Sequence, residues 1–270
     1  MNRTSLLIKR GIFSRRYLWF LLSALAAPVF TMIVIETIRV MRTSFPPDFF
    51  EAFRMGENYN FGILILDSID SIDRLILDDF LKFSICATVM QSLVAAMVVS
   101  FINVEAESGF IKLAIAKGKS RNGIFVNYLV SSVILTLPLL TASVLSSACV
   151  CAFNGYRSLA DIGSVFGVLA SQVIMQLCLA VCAAVLALLV QKGRVIVFAV
   201  LGVLFLPTLV QYMILFTGGK PELSKLVFTC CLIDSAHAGT SDLIFGVITA
   251  IVTALILAAA GSVLFNRKDY

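Results

Sequence analysis

The sequence predicts an all-α membrane protein, a bundle of six transmembrane helices with both termini in the cytosol. Three observations carry this. Sixty per cent of the residues are hydrophobic and 14% charged, with a mean hydropathy of +0.99, far from the composition of a soluble domain. Six stretches reach the roughly 20 apolar residues that a helix needs to cross the hydrocarbon core. The basic residues gather on alternate connections, as the positive-inside rule describes. No stretch alternates with the two-residue period of a membrane barrel, and in lipid a helix satisfies its backbone groups within its own segment.

The chain reads as one transmembrane domain over residues 1–270. Its spans run from Tyr17 to Ile38, Phe80 to Val104, Ile124 to Val150, Ile162 to Val190, Val195 to Phe216 and Leu243 to Phe265. One side holds Arg3, Lys9, Arg10, Arg15 and Arg16, then Lys112, Lys117, Lys119 and Arg121, then Lys192 and Arg194, then Arg267 and Lys268, thirteen of the 21 basic residues. Those thirteen are crowded into short segments, which makes that side cytosolic. The net charge of +5 is therefore a signal of topology and of anionic lipid, with no need of nucleic acid.

Residues 1–16 form a basic cytosolic segment ahead of the first span. With an apolar run and the small residues Ala24 to Ala27 it has the outline of a signal peptide. The run continues past Pro28 to Ile35, however, too long for such a core, so a retained span is expected. Glu36, the acid placed within a span, lies near the outer end and is spaced to pair with Arg39 at i+3.

Residues 39–79 form an acidic outer loop with Arg39, Arg42, Arg54 and Arg74 against eight acids. Within it Ile65, Ile69, Ile72, Ile76 and Phe80 recur at helical spacing, with Asp67, Asp70, Arg74 and Asp78 opposite. This predicts an amphipathic helix at the outer interface that runs into the second span. Asp67, Asp70 and Asp73 lack the spacing and the glycine of a calcium loop.

Pro28, Pro138 and Pro207 interrupt the first, third and fifth spans, where freed carbonyls allow a bend. Gln91, Gln172, Gln176 and Gln211 are polar groups at membrane depth. Interhelical hydrogen bonding accounts for such residues, and they are also the candidates for a substrate path. In the last span Gly246, Ala250, Ala254, Ala258 and Ser262 put a small residue at every fourth position, a packing face within the chain or between subunits.

No catalytic, metal or cofactor-binding residue is expected in this chain. The seven cysteines lie in or beside apolar spans, without zinc-ribbon spacing. Cys178 and Cys182 share a helix face, but no His or carboxylate flanks them, so they read as buried thiols. Cys149, Cys151, Cys230 and Cys231 lie toward the outer face, where a disulfide is chemically permitted. His237 near Asp234 is a lone histidine in a polar loop, and no His-Glu-x-x-His sequence accompanies it.

The most informative segment is the insert from Glu105 to Arg121, charged and helix-capable between two long spans. Ser108 is expected to cap a short helix. Glu105 and Glu107 lie at its positive end, Lys117 and Lys119 at its negative end, and Gly118 closes it. Phe110, Leu113 and Ala114 are expected to share a face that offers an apolar knob to a cytosolic groove. Gly118, Lys119 and Ser120 match the tail of a phosphate-binding loop, but Leu113 stands where its first glycine belongs and no strand precedes it. ATP binding by this chain is excluded on those grounds.

The sequence Glu-x-Glu-Ser-Gly-Phe-Ile-Lys-Leu from Glu105 to Leu113, followed by Lys-Gly-Lys-Ser-Arg from Lys117 to Arg121 and a new span, resembles the cytosolic loop of ABC-2 type transporter permeases. Those read Glu-x-Gly-Thr-hydrophobic-Lys and then a Pro/Ser/Arg turn. The layout is similar too, with a basic N-terminal segment, a long outer loop after the first span, six spans, and a tail such as Phe265 to Tyr270. Two departures stand out: Ser108 falls between Glu107 and the glycine, and Lys119 stands where proline is common.

The resemblance implies an ABC-2 permease bundle in a bacterial plasma membrane. Its partners would be cytosolic ABC ATPase subunits, which bind the ATP and Mg, and a second permease, identical or related. It makes the loop a coupling helix, with Glu105, Glu107, Gly109, Phe110, Lys112 and Leu113 as the ATPase-coupling residues, and residues 1–16 an elbow helix. The expected function is export of an amphipathic substrate such as an antimicrobial peptide, a drug or a lipid-like molecule. One rival is an ion- or proton-coupled carrier, which should show intramembrane charges or inverted halves. Another is a non-transporting sensor or immunity subunit, separated from an exporter only by substrate movement.

Overall fold

The computed structural model describes residues 3–46, 48–51, 54–55, 58–60, 65–66, 77–86, 88–155, 162–190, 199, 202, 209–210, 213, 226–227, 230–232 and 239–268. The chain begins with a short helix α1 (Arg3–Ile12), then α2 (Arg15–Ser44) and α3 (Asp48–Glu51). Three short strands follow, β1 (Arg54–Met55), β2 (Asn58–Asn60) and β3 (Ile65–Leu66). The helices α4 (Leu77–Cys86), α5 (Thr88–Glu107), α6 (Phe110–Ala116), α7 (Arg121–Phe153), α8 (Ile162–Val190) and α9 (Thr240–Arg267) complete the described elements.

Five helices are long and apolar enough to cross a bilayer: α2, α5, α7, α8 from Val165, and α9. The protein is a multi-pass, predominantly helical membrane protein. The expected fifth span, Val195 to Phe216, lies outside the described residues except for Ala199, Gly202, Leu209, Val210 and Met213, which are helical. Asp234, His237, Pro207 and Gln211 also lie outside them.

α5 and α8 are the most enclosed spans, and α2 and α9 the most exposed. α8 packs against α5, α7 and α9, while α2 packs chiefly on α7. The main apolar cluster runs through Met97 and Val98 of α5, Tyr128 and Leu135 of α7, Met175 and Leu188 of α8 and Ala250 of α9. A smaller cluster at the other end joins Ile35 and Ile38 of α2 to Phe50, Phe80, Cys151 and Leu243. The outward faces of α2 and α9 carry Trp19, Phe30, Leu255 and Ile256, all exposed, as suits helices bathed in lipid tails.

The outer loop departs from expectation. Ile65 and Leu66 form β3, not the start of an amphipathic helix, with Ile65 opposite Asn60 and Leu66 opposite Tyr59. β2 pairs on its other side with β1, Arg54 opposite Tyr59 and Met55 opposite Asn58, making a three-stranded antiparallel sheet in the order β1-β2-β3. Helical structure is described only from Leu77, since residues 67–76 lie outside the description. Ile65, the first isoleucine of the expected helix, is taken into a backbone ladder supplied by residues 59–60, which no local pattern reveals. Ile69, Ile72 and Ile76 lie outside the described residues.

Two of the three prolines expected to interrupt spans are described, and both sit inside continuous helices, Pro28 in α2 and Pro138 in α7. Glu36 and Arg39 pair as their spacing predicts, at 2.6 Å. The small-residue stripe of α9 faces the chain's own α8: Gly246, Ala250 and Ala254 are buried and Ala258 half-buried. The stripe ends on Gly261 and Phe265 rather than on Ser262, because Gly261 lies directly against Val185 of α8.

Candidate functional site

The insert between α5 and α7 folds as a helix–turn–helix–turn in which each glycine has a conformational task. Ser108 does not cap α6. Its hydroxyl donates back to the Glu105 carbonyl at 2.9 Å and its backbone N–H donates to Val104, so it completes the end of α5. Gly109 takes the cap position at φ 71 with no side-chain hydrogen bond, a left-handed conformation that side chains with a Cβ resist. At the far end Gly118, at φ 74, donates to Ile115 while Lys119 donates to Ala114. This pair of bonds is the Schellman ending. Ser120 then accepts from the Gly123 N–H to begin α7. Gly118 and Ser120, the residues that imitate a phosphate loop, are thus occupied in ending one helix and starting the next.

α6 shows two faces. Ile111 and Ala114 are buried in the bundle, and Ile115 packs beside them. Lys112 is exposed and Leu113 is 52% exposed. The expected knob of Phe110, Leu113 and Ala114 is therefore divided: Leu113 points away, Ala114 points in, and Phe110 is half-buried between them. Glu107 is exposed and Glu105 buried.

Arg10 of α1 ties this loop to the N-terminal segment. One guanidinium nitrogen is 3.8 Å from the Glu105 carboxylate, and the guanidinium carbon lies 5.1 Å from the centre of the Phe110 ring, within reach of a cation–π attraction. Nothing in the local sequence of residues 3–16 announces this contact. The buried ridge of α1 is Leu7 with Gly11, and a hydropathy pattern cannot register the glycine. Gly11 matters by being small, since a Cβ there would stand 2.8 Å from Leu135 Cδ1. α2 is fastened to the same place, the Tyr17 hydroxyl donating to the Leu135 carbonyl at 2.9 Å.

A cleft of about 290 Å³ opens between the α1–α2 elbow, α5 and α7. Arg10, Ser14, Arg15, Arg16, Ser100 and Glu105 supply its polar lining, and Tyr17, Phe20, Met97, Phe101, Val104 and Leu135 its apolar wall.

A second set of contacts on the same side locks the ends of the spans. Arg121, the first residue of α7, donates to the carbonyls of Asn266 at 2.6 Å and Lys268 at 2.8 Å. Asn122 accepts from Asn266 and from the Ser262 hydroxyl. Lys268 donates to the Leu189 carbonyl at 2.7 Å at the end of α8, where the helix dipole favours a cation. Burial lowers the pKa of Lys268, but the carbonyls it meets favour its charged form.

The polar residues proposed for a substrate path are enclosed in this conformation. Gln91, Gln172 and Gln176 have no accessible surface. Gln91 donates to the Cys86 carbonyl at 3.2 Å across the junction of α4 and α5. Gln172 donates to the Leu232 carbonyl at 2.8 Å and so holds residues 230–232 against α8. All three sit on the two central spans, which explains their burial. Among the cysteines, Cys149 is exposed and Cys151 and Cys182 are buried.

No family model, curated protein or solved structure matches this chain.

Proposed function

We propose that this chain is the membrane-spanning permease subunit of an ATP-driven ABC exporter of the ABC-2 type, resident in a bacterial plasma membrane. Cytosolic ATPase subunits bind the ATP and Mg and supply the energy, and a second permease, identical or related, completes the transport unit. The substrate is an amphipathic molecule such as an antimicrobial peptide, a drug or a lipid-like compound.

The observation that supports this reading best is the two-faced α6. One face, Ile111 and Ala114, is inserted in the bundle, while Lys112 and Leu113 are presented outward between two spans. A push on the outward face would reach α5 and α7 through short glycine turns, and α1 through Arg10 and its contacts with Glu105 and Phe110. That is the mechanical arrangement required of a helix that converts closure of an ATPase into movement of spans.

Six crossings are supported by the direction of the last helices. Met175 meets Gly246 and Val185 meets Gly261, so α8 and α9 run parallel. A parallel pair is what one further span between them, the expected Val195 to Phe216, would give. With Lys112, Lys117, Lys119 and Arg121 beside Arg267 and Lys268, this end carries the charge of a cytosolic face.

Leu113→Asp tests the reading. The side chain is half in solvent, so the bundle should insert and melt as the wild type does. The ATPase that co-purifies with the chain in mild detergent should be lost, because a charge at an apolar anchor typically weakens binding by roughly 30-fold or more. Undiminished ATPase retention in Leu113→Asp would refute the coupling assignment.

A further inference from the structure

We infer that the cleft between the α1–α2 elbow and α5 is a binding site for an anionic phospholipid, with its phosphate among Arg10, Arg15 and Arg16 and its acyl chain along Phe20, Phe101 and Leu135.

Charge is the first argument. The cleft collects three arginines against one carboxylate, Glu105, and that carboxylate already lies 3.8 Å from Arg10. Arg15 and Arg16 are exposed and form no ion pair among the described residues. They occupy the first turn of α2, which contains no acidic residue, so the partial positive charge of that helix end adds to theirs. Guanidinium forks match phosphate oxygens in pairs, which a single ammonium cannot do.

Shape is the second. The wall below the arginines is apolar and belongs to the spans, so a ligand there must be charged at one end and greasy along its length. At about 290 Å³ the cleft lies just below the roughly 300–1,000 Å³ of sites that enclose a drug-sized molecule. It suits a headgroup and the upper part of one chain whose remainder stays in the bilayer. Arg15 and Arg16 begin α2, among the basic residues that mark the side read as cytosolic, where anionic headgroups draw cations.

Position gives the site a consequence. Arg10 is shared between the cleft and α6, through Glu105 and the Phe110 ring. A phosphate in the cleft competes with Glu105 for this guanidinium, so bound lipid alters how firmly the elbow holds α6.

The test uses the full chain alone, without any ATPase, and so does not depend on the exporter reading. The protein is stripped of lipid in detergent, offered phosphatidylglycerol and phosphatidylcholine in equal amounts, and weighed by native mass spectrometry. The wild type should retain the anionic lipid in preference by at least about tenfold. Arg15→Gln/Arg16→Gln should lose that preference while melting normally in neutral lipid. Ser100→Leu, which narrows the cleft without changing its charge, should lose the lipid as well, and it carries the test should the double variant fail to insert. Equal retention of the two lipids would overturn the inference, as would a preference that survives these substitutions. Inorganic phosphate that protects the protein from heat as well as the lipid does would also overturn it, because the apolar wall would then have no part.

Discussion

Arg10 connects three parts of the chain with one side chain. It neutralises a nearly buried carboxylate, covers an aromatic ring and borders the elbow cleft. Arg10→Met keeps the length of the side chain and removes its charge. It should lower stability by about 1–3 kcal/mol, read as an earlier thermal transition in detergent, and Glu105→Gln in the same chain should recover part of the loss. An unchanged transition in Arg10→Met would show that the contact carries no weight. Gly109 is expected to be similarly intolerant: with φ at 71 and open space where a Cβ would stand, Gly109→Ala should cost about 1–2 kcal/mol through backbone strain alone. Glu36 and Arg39 were readable from sequence because they are one helical turn apart. Arg10 and Glu105 were not, because ninety-odd residues separate them.

At the scale of elements, the contact between α8 and α9 illustrates what a bilayer demands. Lipid tails are as apolar as leucine, so helices associate through close packing rather than hydrophobic burial. Gly261 is the tightest point, since a Cβ there would stand 2.5 Å from Val185 Cγ1 and 3.2 Å from Phe125 Cζ. The obstacle is a β-branched side chain with little rotamer freedom. Gly261→Val should therefore destabilise the bundle by roughly 1–3 kcal/mol, measured by thermal unfolding in detergent. Gly11→Ala should be milder, because the atoms it meets are the free ends of Leu135 and can swing away. The every-fourth pattern of small residues made the α9 face visible in the sequence, but not its partner. The strands of the outer loop were hidden for a related reason: β2 and β3 acquire their backbone partners from each other, while the isoleucine spacing alone speaks for a helix.

For the whole molecule the prediction concerns sidedness. With Cys149 replaced by serine, cysteines introduced at Phe13 and Lys117 should react with a membrane-impermeant maleimide only from the cytosolic side. One introduced at Phe153, which is 89% exposed at the end of α7, should react only from outside. Tyr17 meets Leu135 and Leu25 meets Ser146, so α2 and α7 run parallel. Labelling at Phe13 and Lys117 from opposite sides would refute that course across the membrane, and labelling at Lys117 and Phe153 from one side would refute the crossing of α7. The parallel run of α8 and α9 makes a companion prediction, that Val190 and Gly239 lie on opposite sides.

Composition, span length and the placement of basic residues were sufficient to read a helical multi-pass protein with a charged helix between its second and third spans. These are sums over neighbouring residues, and the bilayer acts on each segment separately. Which face of α6 is buried, where the glutamines point, which helix receives the small-residue stripe and how the elbow makes a cleft all depended on the fold. Each requires residues far apart in the chain to meet, as Arg121 and Asn122 meet Asn266 across more than a hundred residues. Such meetings are settled by packing among all the helices at once, which leaves no periodic trace in any one of them.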